Sequence, residues 1–225
     1  MDIVLIAVVA ALASALTLYS GFGLGTLLLP AFALFLPAPI AVVATGIVHL
    51  LNNLFKLALL GKHADRRVVL RFGLPAIVFA AMGAWLLGVL SEVEPLVRYQ
   101  ALGREAVITP VKLVIAALMM LFAFLEATRI AEGWNIPMKW LPLGGAVGGF
   151  FGGLSGHQGA LRSAFLIRAG LSKESFIATG VVIACMIDVS RLGVYAAEFR
   201  WNDIRVNLGL IIAATLSAFV GAYAG

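Results

Sequence analysis

Charge is scarce in this chain. Only 12% of its 225 residues are Asp, Glu, Lys or Arg, about half the share of a soluble domain. Cysteine is nearly absent. Cys185 is the sole one, so no intrachain disulfide can form, and a lone mid-span thiol reads as a packing residue. The three histidines do not combine with Cys, Asp or Glu into a metal-ligand pattern, so neither a metal nor another cofactor is expected. No Walker or other nucleotide motif occurs, which argues against intrinsic ATP drive. Ser155, Ser163 and His157 lie near one another without an acidic orienter, so a membrane-embedded enzyme is disfavoured and no catalytic residue is assigned. The net charge of +5 does not point to nucleic acid, because no basic run interleaves with aromatics.

Apolar residues make up the rest. The chain is 62% hydrophobic with a mean hydropathy of +1.06. Stretches of about 20 apolar residues read as membrane helices, and they fall at 3–19, 40–60, 72–90, 110–128, 138–153, 174–196 and 206–224. Two shorter apolar pieces, 26–36 and 160–169, cover about half a bilayer each at roughly 1.5 Å per residue. Asp2, with no Lys or Arg, precedes the first run, so that run reads as a span and not as a signal peptide. The expected fold class is an all-α integral membrane protein, one transmembrane domain over 1–225.

Basic residues orient it. Lys62, Arg66, Arg67 and Arg71 crowd one loop with only Asp65 against them, which places that loop in the cytoplasm. The loop 91–109 sets Glu92, Glu94 and Glu105 against Arg98 and Arg104 and is expected outside. Arg129 and Lys139 with Glu132 return the chain inside. The expectation is a multi-pass protein of the cell inner membrane with a cytoplasmic N-terminus.

Two stretches nearly copy each other. The first runs Ser20-Gly21-Phe22-Gly23-Leu24-Gly25, then Ala44-Thr45-Gly46, then Asn53-Leu54-Phe55-Lys56. The second runs Leu154-Ser155-Gly156-His157-Gln158-Gly159, then Ala178-Thr179-Gly180, then Asp188-Val189-Ser190-Arg191. Glycines 25 and 159, and threonines 45 and 179, are both 134 residues apart. A glycine break followed by an apolar helix with polar groups inside it, occurring twice, is a common transporter plan. The halves are read as 1–130 and 138–225, each with a glycine-broken helix and half-helix and three further spans. Four full spans per half would make the halves parallel; counting the half-segments as crossings would invert them. The second half lacks a counterpart to the span 110–128, so a final span is apparently missing.

The glycine break running on to Pro30, the Ala44-Thr45-Gly46 helix start, the Asn52-Asn53-Leu54-Phe55-Lys56 turn, the loop at His63 and the second-half copy together resemble the TauE/SafE sulfite-exporter family. The resemblance spans essentially the whole chain. It implies an eight-span, duplicated, cofactor-independent transporter of small sulfur-containing anions such as sulfite, thiosulfate and sulfonates. The second break, Gly156-His157-Gln158-Gly159-Ala160-Leu161-Arg162-Ser163, departs from the family's multi-glycine form by placing bulky hydrogen-bonding side chains there.

The residues point to an anion on their own account. A helix start at a glycine break offers free backbone N–H groups and partial positive charge. Gly23, Gly25 and Gly159 allow close approach of an oxyanion. Arg162 falls in the first turn after the second break, where a cation opposes the helix dipole unless an anion intervenes; otherwise it snorkels to the interface. His157, Gln158 and Ser163 supply side chains at the same break. His49, Asn52, Asn53 and Lys56 share one helix face, as do Asp188 and Arg191, which could instead form a purely structural ion pair. Lys56, near a span end, is expected to be reachable by water. Thr45 and Thr179 are expected to bond their own backbone. Inside the apolar runs Lys56, Arg162 and Arg191 face Asp188, a surplus that a divalent anion would balance.

The expected function is secondary active transport of small sulfur-containing anions across the cytoplasmic membrane, with the lipid bilayer and the small anion as partners. His157 titrates in a range that allows coupling to protons, and a homodimer is compatible with the reading. The alternatives are a passive anion channel, or a transporter of another small anion or organic acid.

Overall fold

The computed structural model describes residues 2–19, 24–101, 104–128, 130–133 and 136–224. Gly23, with the rest of the first break at 20–22, lies outside them. Among the described residues the chain forms ten α-helices, three short 3₁₀ helices and one β-hairpin. The first half holds α1 (Asp2–Tyr19), α2 (Leu24–Ala33), α3 (Ala38–Leu60), α4 (Arg66–Glu92) and α5 (Pro110–Thr128). The second holds α6 (Leu141–Ser155), α7 (Gly159–Leu166), α8 (Lys173–Glu198), the short α9 (Trp201–Arg205) and α10 (Leu208–Ala224). The helices coincide with the apolar runs because a bilayer leaves a backbone no better way to satisfy its own hydrogen bonds. Helices α3, α4, α5 and α8 are long and apolar enough to cross a membrane. The protein is an all-α membrane protein.

The loop 91–109 contains more order than its sequence suggested. β1 (Val97–Ala101) pairs antiparallel with β2 (Arg104–Ile108), forming a hairpin between α4 and α5.

Small residues decide which helices touch. The widest contact is between α4 and α6. A Cβ on Gly145, Gly149 or Gly153 would fall 2.0, 2.3 or 2.0 Å from the carbonyl oxygens of Phe72, Ala76 and Ala80. These glycines recur every four residues, so they line one face and let two backbones meet. The constant register makes α4 and α6 parallel. In return, a Cβ on Gly83 of α4 would lie 2.1 Å from Phe150 O. Helix α10 packs on α1 in a similar way, with Gly221 against Ala11 O.

Helices α3 and α8 cross the middle of the molecule and run antiparallel. Gly46 faces Arg191, His49 meets Asp188, and Asp65, just past the end of α3, donates its N–H to Thr179 Oγ1 near the start of α8 at 2.9 Å. The two helices carrying the matched Ala-Thr-Gly motifs therefore run in opposite directions, against the parallel arrangement that four full spans per half would give. Asp65 also caps α4, accepting from Val68 N at 2.9 Å.

Candidate functional site

The second break is built by Gly156. Its φ of +82° lies in the left-handed region, which glycine enters without a Cβ penalty. This ends α6, and α7 restarts at Gly159 after Gln158. Side chains of α8 hold the last carbonyls of α6. Arg191 NH1 donates at 3.1 Å to Gly152 O, which also accepts from Gly156 N at 3.0 Å, and the Tyr195 hydroxyl donates to Gly153 O. The start of α2 comes to the same place. A Cβ on Gly25, the second residue of α2, would lie 3.0 Å from Gly156 O and 3.9 Å from Thr45 Cγ2. The start of α2 thus touches the second break through Gly25 and Gly156. Gly159 opens the neighbouring helix one turn further on.

Asp188 is the hub of the polar network. It is fully buried and receives groups from three elements. Oδ2 lies 2.5 Å from His49 Nδ1 of α3. Oδ1 accepts from Gln158 Nε2 of the break at 3.1 Å and from Arg191 Nε of its own helix at 3.0 Å, with Arg191 NH2 at 2.7 Å. Gln158 in turn accepts from Arg162 NH1 of α7 at 2.9 Å, so a chain of hydrogen bonds links α3, α8, the break and α7. Asn53 Nδ2 donates to His49 O at 2.9 Å and lies 3.0 Å from His49 Nδ1. Asn52 accepts from Ser14 of α1 at 3.2 Å. Hydrogen bonding on every side is what lets such charges persist in a low-dielectric interior.

The histidine of the break has a different environment. His157 is 3% exposed. Its ring stacks on Phe122 of α5, with centroids 5.3 Å apart and planes at 7°. Nδ1 lies 3.1 Å from Ser155 Oγ, and among the described residues no protein group is within hydrogen-bond reach of Nε2. Thr45 Oγ1, also buried, has no partner among them either. Backbone bonding was expected for both threonines. Thr179 instead holds Asp65 N, and Thr45 is left beside the contact of Gly25 with Gly156.

Two expectations need correcting. Lys56 is not reachable by water: it is 6% exposed, because it lies on the same inward face of α3 as the buried Asn52 and Asn53 while Leu54 and Leu59 face outward. The charge surplus is also smaller. Glu126 on α5 is buried, and its Oε1 accepts from Thr26 of α2 at 3.0 Å. Lys56, Arg162 and Arg191 thus face Asp188 and Glu126, three charges minus two, so one negative charge balances the set. Glu126 escaped notice because an acid two residues from the end of an apolar run normally reaches the interface. The ring of Phe122, one turn earlier on the same helix, carried no signal beyond hydrophobicity.

Of the remaining expected residues, Gly159 is buried at the first position of α7 and Ser163 is half-buried beside Arg162. The Asp188–Arg191 pair forms as an ion pair, but one shared with His49 and Gln158. Among the described residues no cluster of His, Cys, Asp or Glu could hold a metal.

The family model for Sulfite exporter TauE/SafE matches residues 5–225. The chain belongs to the TauE/SafE family. Neither a curated protein nor a solved structure gives a significant match. As a TauE/SafE protein it is a multi-pass membrane protein of a transporter family, not an enzyme family, whose cargo is small sulfur-containing anions.

Proposed function

We propose that this TauE/SafE protein is a secondary active transporter of small sulfur oxyanions of the sulfite or sulfonate type, and that it binds them where the start of α2 meets the second glycine break. The observation that carries this is the contact of Gly25 with Gly156 beside the guanidinium of Arg191. A Cβ on Gly156 would lie 3.0 Å from Arg191 NH1, and one on Gly46 would lie 3.3 Å from Arg191 Cζ. Arg162 lies beside Gly180, the residue matched to Gly46, with Nε 3.5 Å from a Cβ placed there. Two guanidiniums thus pack against glycine backbone at matched positions of the two halves, which favours the twofold duplication into 1–130 and 138–225. Guanidinium forks suit the paired oxygens of such oxyanions.

The antiparallel run of α3 and α8 supports inverted halves rocking around a fixed central site. In that motion Arg162 contacts the anion from α7 and Gln158 from the break, while His49, Asn53 and Asp188 hold Arg191 in place.

Uptake of labelled sulfite and of short alkanesulfonates into proteoliposomes tests the reading. A carrier gives saturable flux and counterflow of preloaded substrate, and a passive channel gives neither. Absence of flux for every sulfur oxyanion would sink the assignment.

A further inference from the structure

The hydrogen bonds around His157 decide which of its nitrogens carries the proton. Ser155 Oγ donates its only hydrogen to Phe151 O at 3.1 Å, the usual bond of a helical serine to the preceding turn. Its oxygen therefore has only lone pairs to offer His157 Nδ1, 3.1 Å away. Nδ1 must be the N–H, and in the neutral ring Nε2 is then a bare acceptor. Among the described residues that acceptor is buried without a protein partner, at the break where the anion is proposed to bind. An oxyanion cannot approach a bare lone pair, but it can accept from Nε2–H once a proton has been added.

We propose that the anion and a proton are bound together, with the proton on His157 Nε2, while residue 155 holds the ring's own hydrogen on Nδ1 and so makes the extra proton necessary. The proposal rests on the anion site described above. The proton comes from the aqueous phase, and the pair leaves as it entered, so one anion and one proton move in the same direction.

The charged surroundings agree with this. From α8, Arg191 NH1 packs beside Gly156, the residue next to His157, so two cations there repel until an anion sits between them. Asp188 on α8 is engaged by His49, Gln158 and Arg191. On α7, Arg162 is tied to Gln158. Helix α6 carries no ionisable group. Helix α5 presents Phe122 to the ring, Glu126 is one turn away on Thr26, and Lys112 is at the far end of the helix on Val107 O. None of these groups donates to Nε2, so the anion and the proton are left to satisfy each other.

The test uses the full-length purified protein with ethanesulfonate, a strong-acid anion that does not itself titrate across roughly pH 5.5–8, the range in which histidine does. Wild-type affinity should rise on acidification, by up to about tenfold per pH unit above the histidine pKa. Calorimetry in buffers of different ionisation enthalpy should show about one proton taken up per anion. Ser155→Ala removes the Oγ acceptor but leaves the ring bonded to the backbone of residue 155, so Nδ1 keeps its hydrogen and the pH dependence should persist. His157→Gln, whose amide donates without an added proton, should bind with an affinity nearly independent of pH. Wild-type binding without proton uptake, or a His157→Gln protein that keeps the wild-type slope, would overturn the proposal alone. If wild type binds neither ethanesulfonate nor sulfite at any pH, the anion site and this inference fall together. Should His157→Gln not fold, the wild-type proton count still decides.

Discussion

At the scale of single residues, Arg162 and Arg191 share a charge and differ in role. Arg191 is enclosed: Nε and NH2 serve Asp188 and NH1 serves Gly152 O. Removing it strands a fully buried carboxylate. Arg191→Gln should therefore lower unfolding stability by about 3–5 kcal/mol, read as a fall in the detergent-phase melting temperature. Arg162 sits half-exposed on α7 with its guanidinium on Gln158, placed to exchange a neutral partner for an anion. Charge-assisted hydrogen bonds contribute roughly 1.5–3 kcal/mol, so Arg162→Gln should raise the half-saturating anion concentration about tenfold or more with little change in melting temperature. Normal transport by Arg162→Gln would place the site elsewhere. Lys56→Gln is a poorer comparison than the sequence suggested, since that side chain is buried and its loss disturbs packing as well as charge.

At the scale of elements, the glycine faces of α6 and α2 serve two purposes. On α6 the stripe sets the distance to α4. A Cβ at Gly149 would be 2.3 Å from Ala76 O, and a backbone carbonyl cannot swing aside as a side chain can. Gly149→Ala should push the helices apart and cost roughly 1–3 kcal/mol as an overpacked contact, seen as lower thermal stability. Gly25→Ala meets Gly156 O at 3.0 Å, a contact that a shift of a few tenths of an ångström relieves. It should fold near normally and lose anion affinity, because the relief moves the start of α2 away from the second break. An unchanged affinity in that variant would separate the break contact from binding. Element positions were readable from sequence because an apolar run and a glycine break are local features. The hairpin Val97–Ile108 was not, because its strands are short and charged, and each is stabilised only by the other.

At the scale of the whole molecule, the orientation follows from the basic loop. We expect residues 61–71 to face the cytoplasm, as the excess of Lys62, Arg66, Arg67 and Arg71 over Asp65 requires. Cys185 is the chain's sole cysteine and is buried, so an introduced thiol reports with little background. His63→Cys should be protected from an impermeant thiol reagent in intact cells and labelled in inside-out vesicles. Labelling from outside would reverse the assigned topology.

The sequence by itself determined the solvent of this protein, the places of its helices, the two breaks and the family. Each of these is a property of a stretch of chain no longer than about one span, set by hydropathy and by glycine. It also showed which polar residues share a helix face, since that follows from 3.6 residues per turn. Partners were another matter. His49 finds Asp188 across 139 positions, Thr26 finds Glu126 across 100, and Gly25 meets Gly156. Helical periodicity names a face but not what it faces. Only the packing of small residues, which brings α4 onto α6 and sets α3 antiparallel to α8, decided that Asp188 would be a shared hub, that Lys56 would be shut away from water, and that Nε2 of His157 would find no partner among the described residues.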